Sequence, residues 1–423
     1  MANKTLNEKV YMQVAGLDIG NGCVKGTIGS NAGGETEIDI QSVAAKNYNA
    51  GIGEIRTPLS EVESRIGDIF NYMDATFESS CLDEPGRYFM GKHAMESGNY
   101  QLIFEVGVGQ QRKSEQSLST ILTLGCIAGK ALQDAWNATH VLPEVINTDV
   151  RVATLALPIQ EYRRYRETYA SSYKKGTHKV TIHTFETDVV VNITFANVQV
   201  LAEGASATYA IRAGGVDMAN KLIQNANEAS DQHIELTGED IYGARATMGI
   251  DIGEGTTNLP IYDSQGNFNA DASTSINNGY GVVLDSATIL LRDKGFNFGN
   301  RKDLQIYLMD TNNQKFKKAQ YAEVQAIVDN CIENFAQQIA DIYQQNMKAY
   351  NTQIMVVYVY GGGSTAMKYY LFQAIVNKTR KLNGGIDAQP ILYFDNPEAR
   401  VLNRDGLYIA AKRILELMGE SLN

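Results

Sequence analysis

Apolar and polar positions along this 423-residue chain sort it into short strands and amphipathic helices. Residues 12–18 and 23–28 read as two strands flanking a glycine turn, and Thr36 to Ile40 as a third. A polar, poorly periodic stretch from Asn47 to Asn99 follows, containing Arg87-Tyr-Phe-Met-Gly-Lys-His-Ala94, and reads as an insertion at the edge of a first lobe. From Gln116 to Trp136, Leu118, Ile121, Leu122, Leu124, Ile127 and Leu132 recur with helical period, which places Trp136 at the helix end. Val152–Leu157 is a strand stopped by Pro158, and a helix rich in arginine and tyrosine runs on to about Tyr173. Val180–Thr184, Val189–Phe195 and Val198–Leu201 are β-rich, interrupted at Glu186–Asp188 and around Ala196-Asn197.

After Glu203 the pattern turns helical over Ala205–Arg212, then polar and helical or irregular over Val216–Asp240. Strands at 247–252 and 257–262 bracket a second glycine turn, and Val282–Arg292 is a helix. Ala322–Met347 is the clearest helix: Val324, Ile327, Val328, Cys331, Ile332, Phe335, Ile339 and Ile342 form one apolar stripe, the signature of a core face. Ile354-Met-Val-Val-Tyr-Val-Tyr360 is a nearly continuous apolar run of the kind buried on both faces of a sheet. It enters Gly361-Gly-Gly-Ser-Thr365 and a helix from Ala366 to about Val376, and a terminal helix carries Leu407, Ala411, Ile414 and Met418 on one face.

The two glycine turns are written to one plan. Leu17-Asp-Ile-Gly-Asn-Gly22, followed by Cys23, Val24 and Lys25, is echoed by Gly249-Ile-Asp-Ile-Gly-Glu-Gly-Thr-Thr-Asn258. In each, an apolar run ends in an aspartate, a glycine-rich turn follows, and an extended strand resumes. Such a hairpin lets backbone N–H groups approach phosphate oxygens, because glycine adopts unusual dihedrals and no side chain intervenes. Asp18 and Asp251 are candidates for holding a hydrated Mg2+, which favours one or two carboxylates plus waters. Gly20, Asn21, Gly22 and Cys23 in the first turn, and Gly253, Glu254, Gly255, Thr256 and Thr257 in the second, are candidate nucleotide contacts. Lys25 either reaches back to phosphate oxygens as a point charge or faces water at a strand end. Thr256 and Thr257 are hydroxyl donors to a terminal phosphate or plain β-formers. Whether Glu254 aims at the phosphates or away from them is open.

Gly361, Gly362, Gly363 and Ser364 sit between a buried strand and a helix, where bare backbone suits an adenosine sugar or phosphate. A dinucleotide fold is the rival reading, but the full glycine spacing is missing. Glu203 ends a β-rich run ahead of Gly204-Ala-Ser. It is a carboxylate placed to orient or deprotonate an attacking water, or an exposed acid at a helix start.

A net charge of −11 argues against direct nucleic-acid binding, so any route to DNA needs a basic partner. The basic clusters Arg163-Arg164-Tyr165-Arg166 and Lys315–Lys318 read as solvated helix faces. Cys23, Cys81, Cys126 and Cys331 lack pairing or zinc spacing, and His93, His140, His178, His183 and His233 are equally scattered. Met1-Ala-Asn-Lys-Thr opens no signal peptide and no run reaches membrane-spanning length, so the expected setting is cytoplasmic, without membrane contact.

In order, these motifs resemble the actin-like ATPases: a first phosphate loop (Asp18 to Lys25), a first connecting segment (Val198 to Ala205), a second phosphate loop (Asp251 to Thr257), an adenosine loop (Gly361 to Ser364) and a second connecting segment (Pro397 to Leu407, with Asn403, Gly406 and Leu407). Within that superfamily the chain is most similar to bacterial plasmid-segregation actins of the ParM type. The resemblance implies a two-lobed α/β fold, each lobe a mixed β-sheet flanked by helices: residues 1–204 as first lobe with an insertion over about 46–98, 205–396 as second lobe with an insertion over about 292–346, and 397–423 as a helix returning to the first. It implies ATP as nucleotide, with GTP left open, Mg2+ held through water by Asp18 and Asp251, Glu203 positioning the hydrolytic water, Lys25 on phosphate, and Gly279 on the nucleotide side. It further implies self-assembly into filaments and a basic DNA-binding adaptor on a plasmid centromere. A small-molecule kinase of the same superfold and a shape or division scaffold are the alternatives. The segment Ala205–Ala246 departs from the ParM-type pattern by its length and reads as a filament-contact insertion.

Overall fold

The structure is a computed structural model that describes residues 10–48, 56–104, 111–229, 233–349, 353–385 and 389–422. The opening Met1–Thr5 and residues 49–55 of the Asn47–Asn99 stretch lie outside the described residues. Two compact units divide the chain: Met1–Ala210 with Asn403–Asn423, and Ile211–Leu402.

The first unit is built on an eleven-stranded sheet. Its strands are β1 (Val10–Ile19), β2 (Cys23–Ser30), β3 (Gly34–Gln41), β4 (Ala44–Lys46), β5 (Asp74–Glu78), β6 (Gly86–Met90), β7 (Gln101–Leu102), β8 (Val145–Leu157), β9 (His178–Ile182), β10 (Val189–Phe195) and β11 (Val198–Ala202). They order as β3-β2-β1-β8-β10-β9-β5-β6-β4-β7, with β11 also on β8. β3, at the edge, alternates strictly: Ile38 and Ile40 are buried while Glu35, Glu37 and Asp39 are exposed, acids that discourage pairing with another chain. β8 is long enough to serve two neighbours in succession, β10 over Val145–Val150 and β11 over Ala153–Leu157, both parallel. The break at Ala196-Asn197 is where the chain passes from one to the other, with Ala196 N–H donating to Val150 and Ala153 N–H to Asn197. The stretch expected to be an insertion at the lobe's edge carries strands that extend one end of the sheet, β5 pairing with β9.

The helix Ser117–Thr139 lays its predicted stripe into the core with Leu17, Ile28 and Phe77. It stops at His140, whose left-handed φ of 52° ends the helical run, with Trp136 edge-on to that imidazole. His178, in β9, is fully buried between the Ser79 hydroxyl and the Tyr173 carbonyl.

The second unit carries a five-stranded sheet ordered β14-β13-β12-β15-β16, from β12 (Thr247–Ile252), β13 (Thr257–Leu259), β14 (Thr274–Ile276), β15 (Val356–Tyr360) and β16 (Ile391–Tyr393). β12 and β15 are parallel and buried at every position, which accounts for the unbroken apolar runs that encode them. β13 is shorter than the 257–262 expected; Pro260 ends it. The helix Lys318–Ala349 packs its stripe, from Val324 to Tyr343, into the same core as Ile250, Val357 and Met367. The expected 292–346 insertion is therefore not set apart from this unit's core.

The unit boundaries fall at Ala210/Ile211 and Leu402/Asn403 rather than at 204/205 and 396/397. Each lies inside a helix, Ala207–Ala213 and Glu398–Leu417, because the turns nearest the first unit pack there: Ser206 donates its hydroxyl to Asn403 Oδ1 at 2.9 Å. Among the described residues no helix is long and apolar enough to cross a membrane.

Candidate functional site: two glycine hairpins and a buried lysine–glutamate pair

In the first unit β1, β8 and β11 run parallel, with Leu17 level with Leu155 and Leu155 level with Val200. Asp18 and Glu203 thus stand at the carboxyl ends of β1 and β11, parallel strands that each pair with β8, at the edge where open α/β sheets bind ligands. The hairpin register places Lys25 directly opposite Asp18, so the two share a sheet face. The turn is closed by Gly20 N–H donating to Cys23 O at 3.0 Å, and a Cβ on Gly20 would lie 2.7 Å from that oxygen. Ser42 wraps the turn, its N–H on Gly22 O and its hydroxyl on Gly20 O, while Gln41 reaches Cys23 Sγ. Asn21 and Gly22 are half-buried at the tip.

Among the described residues neither the Asp18 carboxylate nor the Lys25 ammonium has a hydrogen bond. Burial raises the Asp18 pKa, the Lys25 and Lys113 ammonium groups oppose that shift, and the Glu203 carboxylate adds to it. Asp18 is half-buried, and a partly desolvated carboxylate without donors gains from a cation or a donor that reaches it, so it fits a hydrated cation.

Glu203 follows β11, its N–H donating to Leu157 O at 2.8 Å, and Gly204 turns the chain at a φ of 78°. The residue is 9% exposed and ion-paired to Lys113, itself 5% exposed, which overturns the reading of Glu203 as an exposed helix-start acid. Lys113 begins a short 3-10 turn, Lys113–Glu115. Its backbone N–H and that of Ser114 donate to the two oxygens of Glu161, each at 3.0 Å. Sequence reading missed Lys113 and Glu161. They lie 90 and 42 residues ahead of Glu203, and a lysine after Gln-Gln-Arg carries no local mark of a buried partner.

The second unit repeats the plan. Gly253 N–H donates to Thr256 O at 2.9 Å, and a Cβ on Gly253 would meet that oxygen at 3.0 Å. Asp251 is the penultimate residue of β12, 6% exposed, but the residue opposite it is Asn258, which accepts from Ser275, where the first hairpin has lysine. Gly255 is buried and Thr256 is 8% exposed. Thr257 is fully enclosed, its hydroxyl unpartnered among the described residues. Glu254 points to Arg301, 2.6 Å away, which also binds Asp285.

Gly279 precedes the helix Tyr280–Asp293 and lets it start against the turn: a Cβ there would lie 2.7 Å from the carbonyls of Gly253 and Glu254. Tyr280 and Gly281 N–H groups donate to those same carbonyls. The Gly361–Ser364 loop follows β15 beside Asp251. Gly361 has a φ of 94°, and its Cβ would fall 2.5 Å from Asp251 Oδ1. Gly363 N–H donates to Ile252 O, and Ser364 is buried with its hydroxyl donating to Gly361 O. Gly362 is exposed, and a Cβ there would make only ordinary contact with Arg400. The carboxyl ends of β12, β15 and β16 thus gather Asp251, the turn and this loop at one edge.

Among the described residues no group of three or more His, Cys, Asp or Glu could cage a metal ion. Each hairpin offers a single aspartate, which fits a mostly water-ligated Mg2+ rather than an all-protein site.

Comparison with known proteins agrees with this arrangement. The family model for actin-like protein N-terminal domains matches residues 16–205, and that for the C-terminal region of archaeal MreB-like actin homologues matches 249–372. No curated protein matches by sequence. Among solved structures, the actin-like protein Alp7A superposes with a TM-score of 0.65 at 16% identity, covering 97% of this chain and 99% of its own. ParM of Bacillus thuringiensis with ATP gives 0.56 at 16% identity over 96% and 99%, and the archaeal actin homologue Ta0583 gives 0.57 at 14% over 95% and 99%. With its two mixed sheets, its repeated Asp-and-glycine hairpins and these matches falling in tandem over them, the chain belongs to the actin-like ATPase superfamily.

Proposed function

We propose that this protein binds Mg-ATP through its two glycine hairpins, hydrolyses it, and assembles into filaments that segregate plasmid DNA. The observation that carries this reading is the repeated turn: the same Gly-to-i+3 closure, each after an aspartate at a buried strand end, once in each unit. The backbone N–H groups of residues 21–22 and 254–255, at the tips of the two turns, supply phosphate donors. Lys25, whose ammonium has no hydrogen bond among the described residues, supplies a positive charge. Asp18 and Asp251 would each offer a carboxylate to a hydrated Mg2+, which when bound would supply positive charge to the phosphates, and the Gly361–Ser364 loop receives the adenosine. Glu203 orients the attacking water, whose oxygen bonds to the terminal phosphorus as the bond from that phosphorus to the bridging oxygen breaks, giving ADP, inorganic phosphate and a proton released to solvent. The B. thuringiensis ParM neighbours were solved with ATP, AMPPNP and ADP, which supports a nucleotide of this class.

Assembly follows from differential affinity: ATP favours the state competent for subunit contacts, and hydrolysis withdraws that bias. A net charge of −11 leaves DNA contact to a basic adaptor. Sedimentation and light scattering with Mg-ATP, Mg-ADP and no nucleotide test the reading. Polymer with ATP that decays as phosphate is released supports it, and Glu203→Ala should give longer-lived polymer with phosphate release slowed by about 100-fold or more. A protein that remains unpolymerised at high concentration with every nucleotide refutes the filament assignment.

A further inference from the structure

We propose that Lys113 is a positioning residue for hydrolysis: from its own rigid turn it fixes the Glu203 carboxylate in the orientation that aligns the attacking water. The inference rests on the hydrolytic reading of Glu203. Three observations lead to it. Lysine is seldom buried, yet Lys113 is 5% exposed, with its ammonium on Glu203 Oε1 and 5.7 Å from the centroid of the Phe104 ring. Its backbone is held as firmly as its side chain, since Glu161 accepts from both the Lys113 and Ser114 N–H groups. Glu161 lies in the first turn of the helix Ile159–Tyr173, immediately after β8, so the clamp is built from the same parallel strands that present Asp18 and Glu203.

Stability does not account for the pair. Replacing a buried ion pair by apolar side chains of like volume is commonly neutral or favourable, because desolvation of two charges offsets their attraction. What the pair does provide is direction. A glutamate has three rotatable bonds, and an anchored ammonium on one oxygen removes most of that freedom, leaving the rest of the carboxylate in one fixed aspect. Asp18 lies within electrostatic reach of Lys25, Lys113 and Glu203, and among the described residues Lys113 is ion-paired to Glu203.

The test uses full-length protein, its Mg-ATP phosphate release, and its nucleotide affinity by calorimetry, for wild type, Lys113→Gln, Lys113→Arg, Glu161→Gln, Glu203→Gln and the Lys113→Gln/Glu203→Gln double variant. Lys113→Gln should lower kcat by about tenfold or more while KM changes less than about threefold, the pattern of an interaction realised at the chemical step. Lys113→Arg should recover most of that loss, Glu161→Gln should show a smaller fall of the same kind, and Lys113→Gln should cost nothing further on the Glu203→Gln background. A raised KM with unchanged kcat would make Lys113 a phosphate ligand and overturn the inference. A loss that persists in full on the Glu203→Gln background would make it structural and overturn the inference equally. If wild type hydrolyses ATP and Glu203→Gln slows it while Lys113→Gln matches wild type, the inference alone is wrong; if wild type releases no phosphate, the hydrolytic reading and the inference fall together.

Discussion

Gly406→Ala is the most exacting test of how the Glu203 connector is held. Gly406 lies in the helix Glu398–Leu417, and a Cβ there would fall 2.0 Å from Ser206 O, 2.6 Å from Ser206 C and 3.2 Å from Ala207 N. All three are backbone atoms, so no side-chain rotation relieves the clash; helix and connector must separate by more than about 1 Å to restore normal contact. Overpacking of this sort costs about 1–3 kcal/mol. Against it stands the gain of replacing a helical glycine by alanine, about 0.5–1 kcal/mol. Overpacking therefore wins, and the separation strains the 2.9 Å Ser206–Asn403 hydrogen bond, three residues beyond Glu203. Trp136, the only tryptophan, belongs to the first unit, so its fluorescence during urea unfolding reports on that unit. With a slope of about 1–3 kcal/mol per molar, the midpoint should fall by roughly 0.5–1 M, and phosphate release should slow. Gly67→Ala, at a helix end with nothing within 4 Å of the added carbon, is the matched control and should leave both unchanged or raise the midpoint slightly. An unchanged or raised midpoint for Gly406→Ala, with normal phosphate release, would show that the contact is not the constraint argued for.

Two further outcomes are expected. Gly361→Ala combines a left-handed φ of 94° with a Cβ 2.5 Å from Asp251 Oδ1 and Ile252 O, so nucleotide affinity measured by calorimetry should drop by about tenfold or more, and an unaltered Kd would contradict it. Burial holds the His178 pKa below its usual 6.5, with Nε2–H donating to the Tyr173 carbonyl and Nδ1 accepting from Ser79. The stability it contributes is complete above 6.5 and is lost as pH falls through the folded-state value, because the unfolded chain takes the proton first. Thermal unfolding between about pH 7 and pH 5 should therefore decline more steeply for wild type than for His178→Asn; parallel slopes would rule the histidine out.

The residues that belong to one hairpin were legible in the chain itself. Asp18 and Asp251 announced themselves because a buried strand must be apolar, a tight turn needs glycine, and a carboxylate between the two is conspicuous. The helix Lys318–Ala349 and the continuous run of β15 were likewise readable, since side-chain period follows directly from backbone geometry. What the sequence could not disclose is which distant groups those residues meet. Glu203 looked like either a water-orienting carboxylate or an exposed acid until the turn at Lys113 came beside it, 90 residues away along the chain. Glu254 had no direction until Arg301 took it, and Gly406 had no reason to be glycine until the Ser206 backbone lay against it. Local dihedral and periodicity rules act within a few residues and are written in composition and spacing. Charge pairing and close backbone approach depend on where the sheet and helices carry the chain, and those the tertiary structure alone decided.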